Sequence, residues 1–481
     1  ELRGYWGVTN LNENVSNVLE LTNGTNAELS TENNGKRKSL TTSVITNYTG
    51  KLDTLGSTIF VGAQYSQFGS NRNEPILERY AEEGTELYVA DRLSRGMSDI
   101  RIMTSQVDYT KAFKNKAKFT AGGKIANTRN DGSTNFFSRL VGEPVYTEVT
   151  ALTNAFTYDE TVPAAYAQFA GVIGKKIKYR TGLRAEYTMA DGFSLSLNQQ
   201  VIDTNYVNVF PTAAIIANVS STFSIGASYS ARIGRPHYRQ LDPFIYYQDS
   251  LTSFQGNPFL RPELTQAYEL DFNIQGFNFL KVGYNHSQNS FRDLIEQGSG
   301  GPNSVILRKI NVQQLNSYFA KLSVPVDLKF WSSFNTISLT FDQVIDNRPQ
   351  FVLTRIRPQF YFYSYNKFIV KDWFNIELFG EYVGSKNDGI YFDEDTYSIS
   401  AGLSKSFFDK KLSCRLIAND IFRTFRQAGS FEVGNATVVY HRRLSTNFYR
   451  LSLTYKFGKL KQVNYSNKET GKEERERLRE R

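Results

Sequence analysis

Tyr397, Ile399, Ala401 and Leu403 alternate with Ser398, Ser400, Gly402 and Ser404, and the same two-residue rhythm returns along most of the chain. A strand points successive side chains to opposite faces, so this alternation marks β-segments with one apolar and one polar face. The closing segment sets Tyr449, Leu451, Leu453, Tyr455 and Phe457 against Arg450, Ser452, Thr454 and Lys456, and Phe223, Ile225, Ala227 and Tyr229 stand against Ser224, Gly226, Ser228 and Ser230. A soluble sandwich carries such a pattern for a few strands. Sustained through most of 481 residues, with 29 Tyr and 36 Phe ending the apolar faces, it predicts an all-β fold, a large antiparallel transmembrane β-barrel.

The mean hydropathy of −0.42 is compatible with that reading. Strands that show lipid only every second residue produce no apolar run of about 18 residues, the signature of a membrane-crossing helix. The hairpin rhythm continues without a Pro/Ser/Gly linker, so residues 1–458 read as one barrel and 459–481 as a charged tail. The single cysteine, Cys414, excludes an intrachain disulfide and lies on the apolar face with Leu416 and Ala418, the place of a small hydrophobe. The +9 formal charge is spread over turns and polar faces with no nucleic-acid motif, so no nucleic-acid partner is expected. The chain opens at Glu1-Leu-Arg-Gly without a secretion signal, which predicts either processing or a C-terminal part of a longer precursor.

Eight tight connections join strand candidates: Thr49 to Gly56, Phe113 to Ala117, Gly174 to Ile177, Val219 to Thr222, Gly276 to Phe279, Val326 to Trp331, Val370 to Trp373 and Phe408 to Leu412. Longer polar segments alternate with them: Gly69 to Ser98, Asn130 to Asn154, Ala190 to Tyr206, Arg235 to Glu263, Lys386 to Asp395 and Arg426 to Thr437. Short turns on one rim and long loops on the other is the asymmetry of an outer-membrane barrel, with the turns periplasmic and the loops extracellular. Two strands per tight hairpin, the final strand and up to two from Leu2 to Thr22 give roughly 17 to 19 strands. A first strand over Leu2 to Thr9 running inward makes the number odd and predicts missing N-terminal strands. The tail from Lys459, ending Glu-Glu-Arg-Glu-Arg-Leu-Arg-Glu-Arg, has no apolar face and reads as a solvated periplasmic extension.

The most specific local signature is Gly256-Asn-Pro-Phe-Leu-Arg-Pro-Glu-Leu-Thr-Gln-Ala-Tyr-Glu-Leu270. Pro258 and Pro262 stiffen the end of a long loop, and Pro is tolerated where a strand begins because no ladder donor is yet needed. The bland reading is a well-terminated loop. With Tyr229-Ser-Ala-Arg-Ile-Gly-Arg-Pro-His-Tyr-Arg-Gln-Leu-Asp-Pro-Phe244 before it, Gly182-Leu-Arg-Ala-Glu-Tyr187, Val209-Phe-Pro-Thr212, Asn419-Asp-Ile-Phe422 and the closing Tyr449 to Phe457 strand, this run resembles the barrel of TonB-dependent outer-membrane receptors, most of all the outer-membrane β-barrel family typical of Bacteroidota. The resemblance is clearest from about Phe156 to Lys459. It rests on Gly256, Asn257, Pro258, Leu260, Pro262, Glu263, Tyr268 and Glu269.

That resemblance implies a barrel of about 22 strands plugged by an N-terminal domain, with a box that couples to the TonB complex; neither plug nor box is present in this sequence. A nineteen-strand segment would then begin at the fourth strand of the family barrel. It also implies energy-coupled import of a scarce ligand (siderophore-bound iron, haem, cobalamin, oligosaccharide or peptide), with outer-membrane lipid and in some members a surface lipoprotein as partners. Alternation places Arg184, Glu186, Glu269, Asp271, Glu377 and Glu381 toward the lumen. Tyr80, Tyr88, Tyr246 and Tyr247 are loop aromatics suited to ligand contact or to ordinary loop packing. Tyr382, Phe407, Phe408, Tyr455 and Phe457, at strand ends, fit interfacial girdles.

Enzymatic readings find little support. His237, His286 and His441 are scattered, no nucleophile and base pair at one strand edge, and Gly35-Lys-Arg-Lys-Ser39 lacks the upstream glycine of a phosphate loop. The acidic loop Asp388 to Asp395 lacks EF-hand spacing, and neither metal nor cofactor is expected. A passive porin and a non-transport adhesin or scaffold remain the alternatives. A plug separates the first from an active importer; a filled lumen without uptake marks the second.

Overall fold

The computed structural model describes residues 2–20, 25–298, 304–348, 357–371, 373–388, 390–433, 436–442, 446–458 and 468–478. Its main sheet has 21 strands, of which Thr147–Glu148, Ile245–Tyr247 and Thr252–Gln255 are short loop strands, leaving eighteen in the wall. In chain order these are β1 Leu2–Glu20, β2 Asn26–Lys51, β3 Thr58–Glu82, β4 Thr85–Ala112, β5 Lys118–Leu140 and β6 Asn154–Ile173. They continue as β7 Ile177–Ser194, β8 Gln199–Asn218, β9 Phe223–Gly234, β10 Glu263–Ile274, β11 Phe277–Gln297 and β12 Val305–Asp327. The last six are β13 Trp331–Ile345, β14 Gln359–Val370, β15 Phe374–Val383, β16 Thr396–Phe407, β17 Leu412–Asn419 and β18 Phe448–Tyr455. Each pairs antiparallel with its neighbours in sequence order, from Leu2↔Val44 at one end of the sheet to Leu412↔Tyr455 at the other. Among the described residues, β1 pairs only with β2 and β18 only with β17.

All eight tight connections fall between wall strands, for instance Ile173 to Ile177 and Ile274 to Phe277, and they share one rim. Gln275 and Gly276 make the second of these turns with φ +52° and +81°, the left-handed region in which glycine carries no Cβ penalty. The wall count lies within the predicted range, but its parity does not follow the sequence reading. β1 is a single strand through Glu20, joined to β2 on the long-loop rim, so it runs toward that rim and the number of wall strands among the described residues is even.

Several segments read from sequence as loops are strand. β2 to β5 are 26, 25, 28 and 23 residues long, against the roughly 9–11 that cross a bilayer. Gly69 to Ser98 is therefore a continuous hairpin turning at Glu82–Thr85, and Asn130 to Asn154 and Ala190 to Tyr206 begin or end inside strands. Beyond the lipid the outer face meets water and turns polar, so apolar alternation fades from the sequence while backbone pairing continues. Lys386 to Asp395 and Arg426 to Thr437 contribute to a separate four-stranded loop sheet.

The polarity is inside out. Tyr397, Ile399, Leu403, Leu451 and Leu453 are exposed on the outer face, whereas Gln64, Thr104, Lys124, Glu160, Glu186 and Ser400 are buried on the inner one. A lipid-facing surface is the physical home for the first set, because ladder pairing between neighbouring strands satisfies the backbone and apolar side chains meet acyl chains. Outward-facing Tyr229, Tyr268, Tyr284 and Tyr318 form a ladder across four strands, with ring centroids 5.0, 6.1 and 4.7 Å apart. Aromatics also gather at both rims. Phe407, Phe408, Tyr455 and Phe457 lie at the short-turn rim, where Lys456 N–H donates to the Lys411 carbonyl, and Tyr382 packs on Phe360 near the other rim.

Candidate functional site

The 235–262 segment between β9 and β10 folds into the lumen rather than away from it. Tyr238, Leu241 and Leu260 are buried with Ile100 and Ile102 of β4, Phe156 and Tyr158 of β6, Ala190 of β7 and Ile202 of β8, forming an apolar core inside an otherwise polar barrel. Inward-facing apolar side chains on four wall strands thus have a partner that local sequence does not reveal.

The Gly256 to Glu263 run closes this loop. A Cβ on Gly256 would sit 1.9 Å from the Asp242 carbonyl oxygen, so only glycine permits the crossing of the two backbone segments. Asn257 N–H donates to the Gln240 carbonyl (2.6 Å), its side-chain amide to the Lys309 carbonyl (3.0 Å), and its Oδ1 accepts from Phe259 N–H (3.0 Å). Asn311 holds both backbone groups of Arg261, at 2.8 Å each. Leu260 fills the core, Pro258 and Pro262 flank it, and Glu263 starts β10. The motif therefore has a structural role: it stitches the inward loop to β12.

Two further anchors span the lumen. Thr252–Gln255 adds in parallel to Val305–Arg308 of β12. On the far side, Glu78 of β3, fully buried, accepts from Arg92 of β4 (3.0 Å), the Tyr247 hydroxyl (2.6 Å), Ser250 N–H (2.8 Å) and the Ser250 hydroxyl. Arg92 also lies 4.8 Å from the Tyr247 ring centre, and Phe136 packs 5.0 Å from it. Burial, then the Glu78 charge, pushes the Tyr247 hydroxyl far above its ordinary range. Asp242 accepts from the Tyr246 hydroxyl (2.5 Å) and Phe244 N–H (3.2 Å), yet burial outweighs both and lifts its carboxyl to about 6.

The four loop tyrosines therefore differ. Tyr246, with Arg239 4.3 Å over its ring, and Tyr247 are anchors inside the loop. Tyr80 and Tyr88 stack on each other at 5.4 Å near the tip of the β3–β4 hairpin, on the same side as Glu78 and Ala90. Of the candidate lumen residues, Glu186 bonds Arg184 (2.5 Å) and Arg235 (2.7 Å); Glu269 and Asp271 share Lys281 (2.8 and 3.3 Å); Glu377 binds Arg415 and the Ser404 hydroxyl (2.8 Å); Glu381 accepts from Tyr361 (3.1 Å). They are spread around the wall, and the structure does not gather them into one constellation. Sequence reasoning missed Glu78, Arg92 and Ser250, which meet across more than 150 residues of chain, and Asp242, whose partners Phe244 and Tyr246 are close in sequence but whose burial is a tertiary fact. Among the described residues no group of three or more His, Cys, Asp or Glu side chains could hold a metal ion. Asp388 of the acidic loop is met by Arg292 (2.8 Å) and Lys386 (3.0 Å).

Residues 468–478 also enter the lumen. The sequence predicts a solvated tail; instead Lys468 pairs with Asp108, Glu474 with Lys124 (2.9 Å), and Arg477 with Glu160 on the inner face. A charged segment without an apolar face can still be held when the opposing wall is charged.

The sequence matches the model of the outer membrane protein β-barrel family over residues 50–455. No protein of curated function matches it. Among solved structures, the ferric yersiniabactin uptake receptor FyuA from Yersinia pestis superposes with a TM-score of 0.50 at 11% identity, over 92% of this chain and 73% of the receptor. The ferripyoverdine receptor of the outer membrane of Pseudomonas aeruginosa, bound to ferripyoverdine, gives 0.50 at 12% identity, over 89% and 67%. At such identities the likeness is one of fold.

Proposed function

Because the chain belongs to the outer membrane protein β-barrel family, we propose that it is the wall of an outer-membrane receptor that imports a scarce ligand with energy from the TonB complex. The observation that carries this reading is the lumen: a wall of eighteen strands is too wide for its own side chains to fill, and its inner face presents hydrogen-bonding and charged groups rather than a dry core. Solutes pass such a face by exchanging hydrogen bonds. The proposal includes the plug and coupling box that the mechanism requires, and it assigns the long-loop rim to the cell exterior, where ligand is captured. The likeness of fold to receptors for ferric yersiniabactin and ferripyoverdine makes iron–siderophore complexes the first ligands to test. A surface lipoprotein partner is part of the same proposal.

One observation favours a second reading. The 235–262 loop folded across the lumen is the kind of constriction that sets the size limit of a passive pore. Uptake of labelled ferric siderophores by cells carrying the full-length gene, with and without the TonB system, separates the two. Uptake abolished with the energy source supports the receptor; flux of many small solutes that is indifferent to it supports the pore. No flux of either kind refutes both and leaves an adhesive or scaffolding role.

A further inference from the structure

Five of the eight charged residues in segment 468–478 form ion pairs with the wall. From the short-turn rim inward, the Lys468 ammonium pairs with Asp108 of β4 and stands 4.6 Å over the Phe60 ring of β3, while its carbonyl accepts from Asn47 of β2 (2.9 Å). Glu469 meets Arg3 of β1, and the hydroxyls of Thr470 and Thr104 are 2.7 Å apart, both side chains buried. Gly471 N–H donates to Gln64 (3.0 Å), and Glu473 and Glu474 close on Lys124 of β5 at 3.2 and 2.9 Å. Arg477 pairs with Glu160 of β6, lies 4.2 Å over the Tyr238 ring and donates to the Pro236 carbonyl (3.0 Å), while its own carbonyl is 3.0 Å from His237 Nδ1. Leu478 packs on the loop core. Lys468 and Arg477 thus meet wall carboxylates and Glu469, Glu473 and Glu474 meet wall cations, while Lys472 pairs with Glu476 and Arg475 with Glu469 inside the tail. Lys124, almost fully buried, has ion-pair partners only from the tail among the described residues.

We propose that the inner faces of β1 to β7 form a charge-matched peptide groove whose occupant is residues 468–478 of the same chain, and that the seated segment narrows the lumen where the 235–262 loop enters from the opposite rim. The complementarity selects this occupant. Desolvated charges are tolerated only where each has a counter-ion and hydrogen bonds, and the tail supplies counter-ions to Asp108, Lys124 and Glu160, the buried charges of the wall that it covers. A plug domain or a peptide cargo that lies against β3 to β6 has to displace the tail first. The narrowing rests on reading the lumen as a ligand path; the seating does not.

The test uses the full-length protein in outer membranes, in a background where Cys414 and any cysteine outside residues 1–481 are replaced by serine. Thr104→Cys with Thr470→Cys places two thiols where the hydroxyls now touch, and Ser43→Cys with Ser66→Cys, whose hydroxyls are 2.8 Å apart on β2 and β3, reports whether oxidant reaches the lumen. After mild oxidation and denaturation without reductant, free thiols are counted with a maleimide–polyethylene glycol reagent. Both pairs are expected to lose both thiols within one chain. A bridged wall pair beside an unbridged Thr104/Thr470 pair overturns the proposal, and so does bridging that yields dimers, which assigns the groove to a second copy. Arg477→Glu is expected to slow the tail bridge at least about tenfold and Glu160→Arg in the same chain to restore it; an unchanged rate overturns the charge-matched assignment. Truncation after Gly458 is expected to raise passive solute flux above that of the bridged protein, and equal flux removes the narrowing while leaving the seating and the energy-dependent uptake to stand on their own measurements.

Discussion

Glu78→Gln isolates the anchor that ties the inward loop to the far wall. The carboxylate is fully buried and accepts four hydrogen bonds, one from Arg92 and three from Tyr247 and Ser250. Glutamine keeps the volume but removes the charge and turns one acceptor into a donor that faces other donors. Removing one side of a buried, hydrogen-bonded ion pair costs about 3–5 kcal/mol. Arg92 belongs to the wall, so part of that cost falls on the β3–β4 hairpin and the lower end applies to the loop, which is about a hundredfold in its open-to-closed ratio. Hydrogen exchange of the full-length protein in detergent reads this directly: amides of Ser250 to Gln255 should exchange about a hundredfold faster, while Tyr238 to Leu241, held by the separate core with Phe156 and Ile202, should change far less. An acceleration below about tenfold, or the same acceleration in both halves, refutes the assignment of Glu78 as the anchor.

Three other outcomes follow from single features. The Asp242 carboxyl is raised to about 6 by burial, so its contribution to the seated loop is full below its unfolded value near 3.8 and is lost as pH rises through about 6. Loop amides should be better protected at about pH 5 than at about pH 7.5 after correction for intrinsic rates, and Asp242→Asn should abolish the difference. Gly256→Ala forces the Asp242 carbonyl away from a Cβ 1.9 Å distant and should destabilise the loop by about 1–3 kcal/mol or more, read as faster proteolysis within 239–257. Leu183→Arg on the exposed outer face should cost about 2–4 kcal/mol in urea unfolding from lipid vesicles, whereas Gln168→Arg, on the lumen side of the facing strand, should cost under about 1 kcal/mol.

The wall was legible wherever one face met lipid. Around Gly174 and Gly276 alternation stops and restarts within a few residues, so turn and strand are specified by local chemistry. Arg72, Asn73, Glu74 and Arg79 belong to strand as firmly as Val61 and Tyr65 do, but outward Asn73 and Arg79 meet water instead of lipid and inward Arg72 and Glu74 are covered polar groups, so no apolar period of two survives to be read. The Gly256 motif was visible while its purpose was not, because the atom that demands glycine belongs to Asp242, fourteen residues earlier. Tyr246 and Tyr247 could be placed in a loop, but the inward fold that turns their hydroxyls to Asp242 and Glu78 is a tertiary fact. The tail was misread for the same reason, since Lys124 and Glu474 are 350 residues apart.

These contacts divide the lumen into unlike halves. Along β3 to β8 the inner face is covered: Glu78, Lys124, Glu160 and Glu186 are almost fully buried, and each bonds at least one group from the inward loop, the tail or Arg235. Along β10 and β11 Lys281 pairs within the wall with Glu269 and Asp271, and their side chains remain 31%, 26% and 23% exposed, whereas Arg292 of β11 reaches Asp388 of the loop sheet and Glu377 of β15 is buried beside Arg415. Ion pairs in contact with water are worth about 0–1 kcal/mol, so a polar solute can replace them at little cost, whereas uncoupling a buried pair costs several kcal/mol. Under the proposed function, the two halves then carry different tasks. Substitutions at Glu269, Asp271 and Lys281 act on which solutes pass, and substitutions at Glu78, Tyr238 and Glu160 act on whether the lumen opens, because only the second group must break contacts across the barrel before anything moves through it.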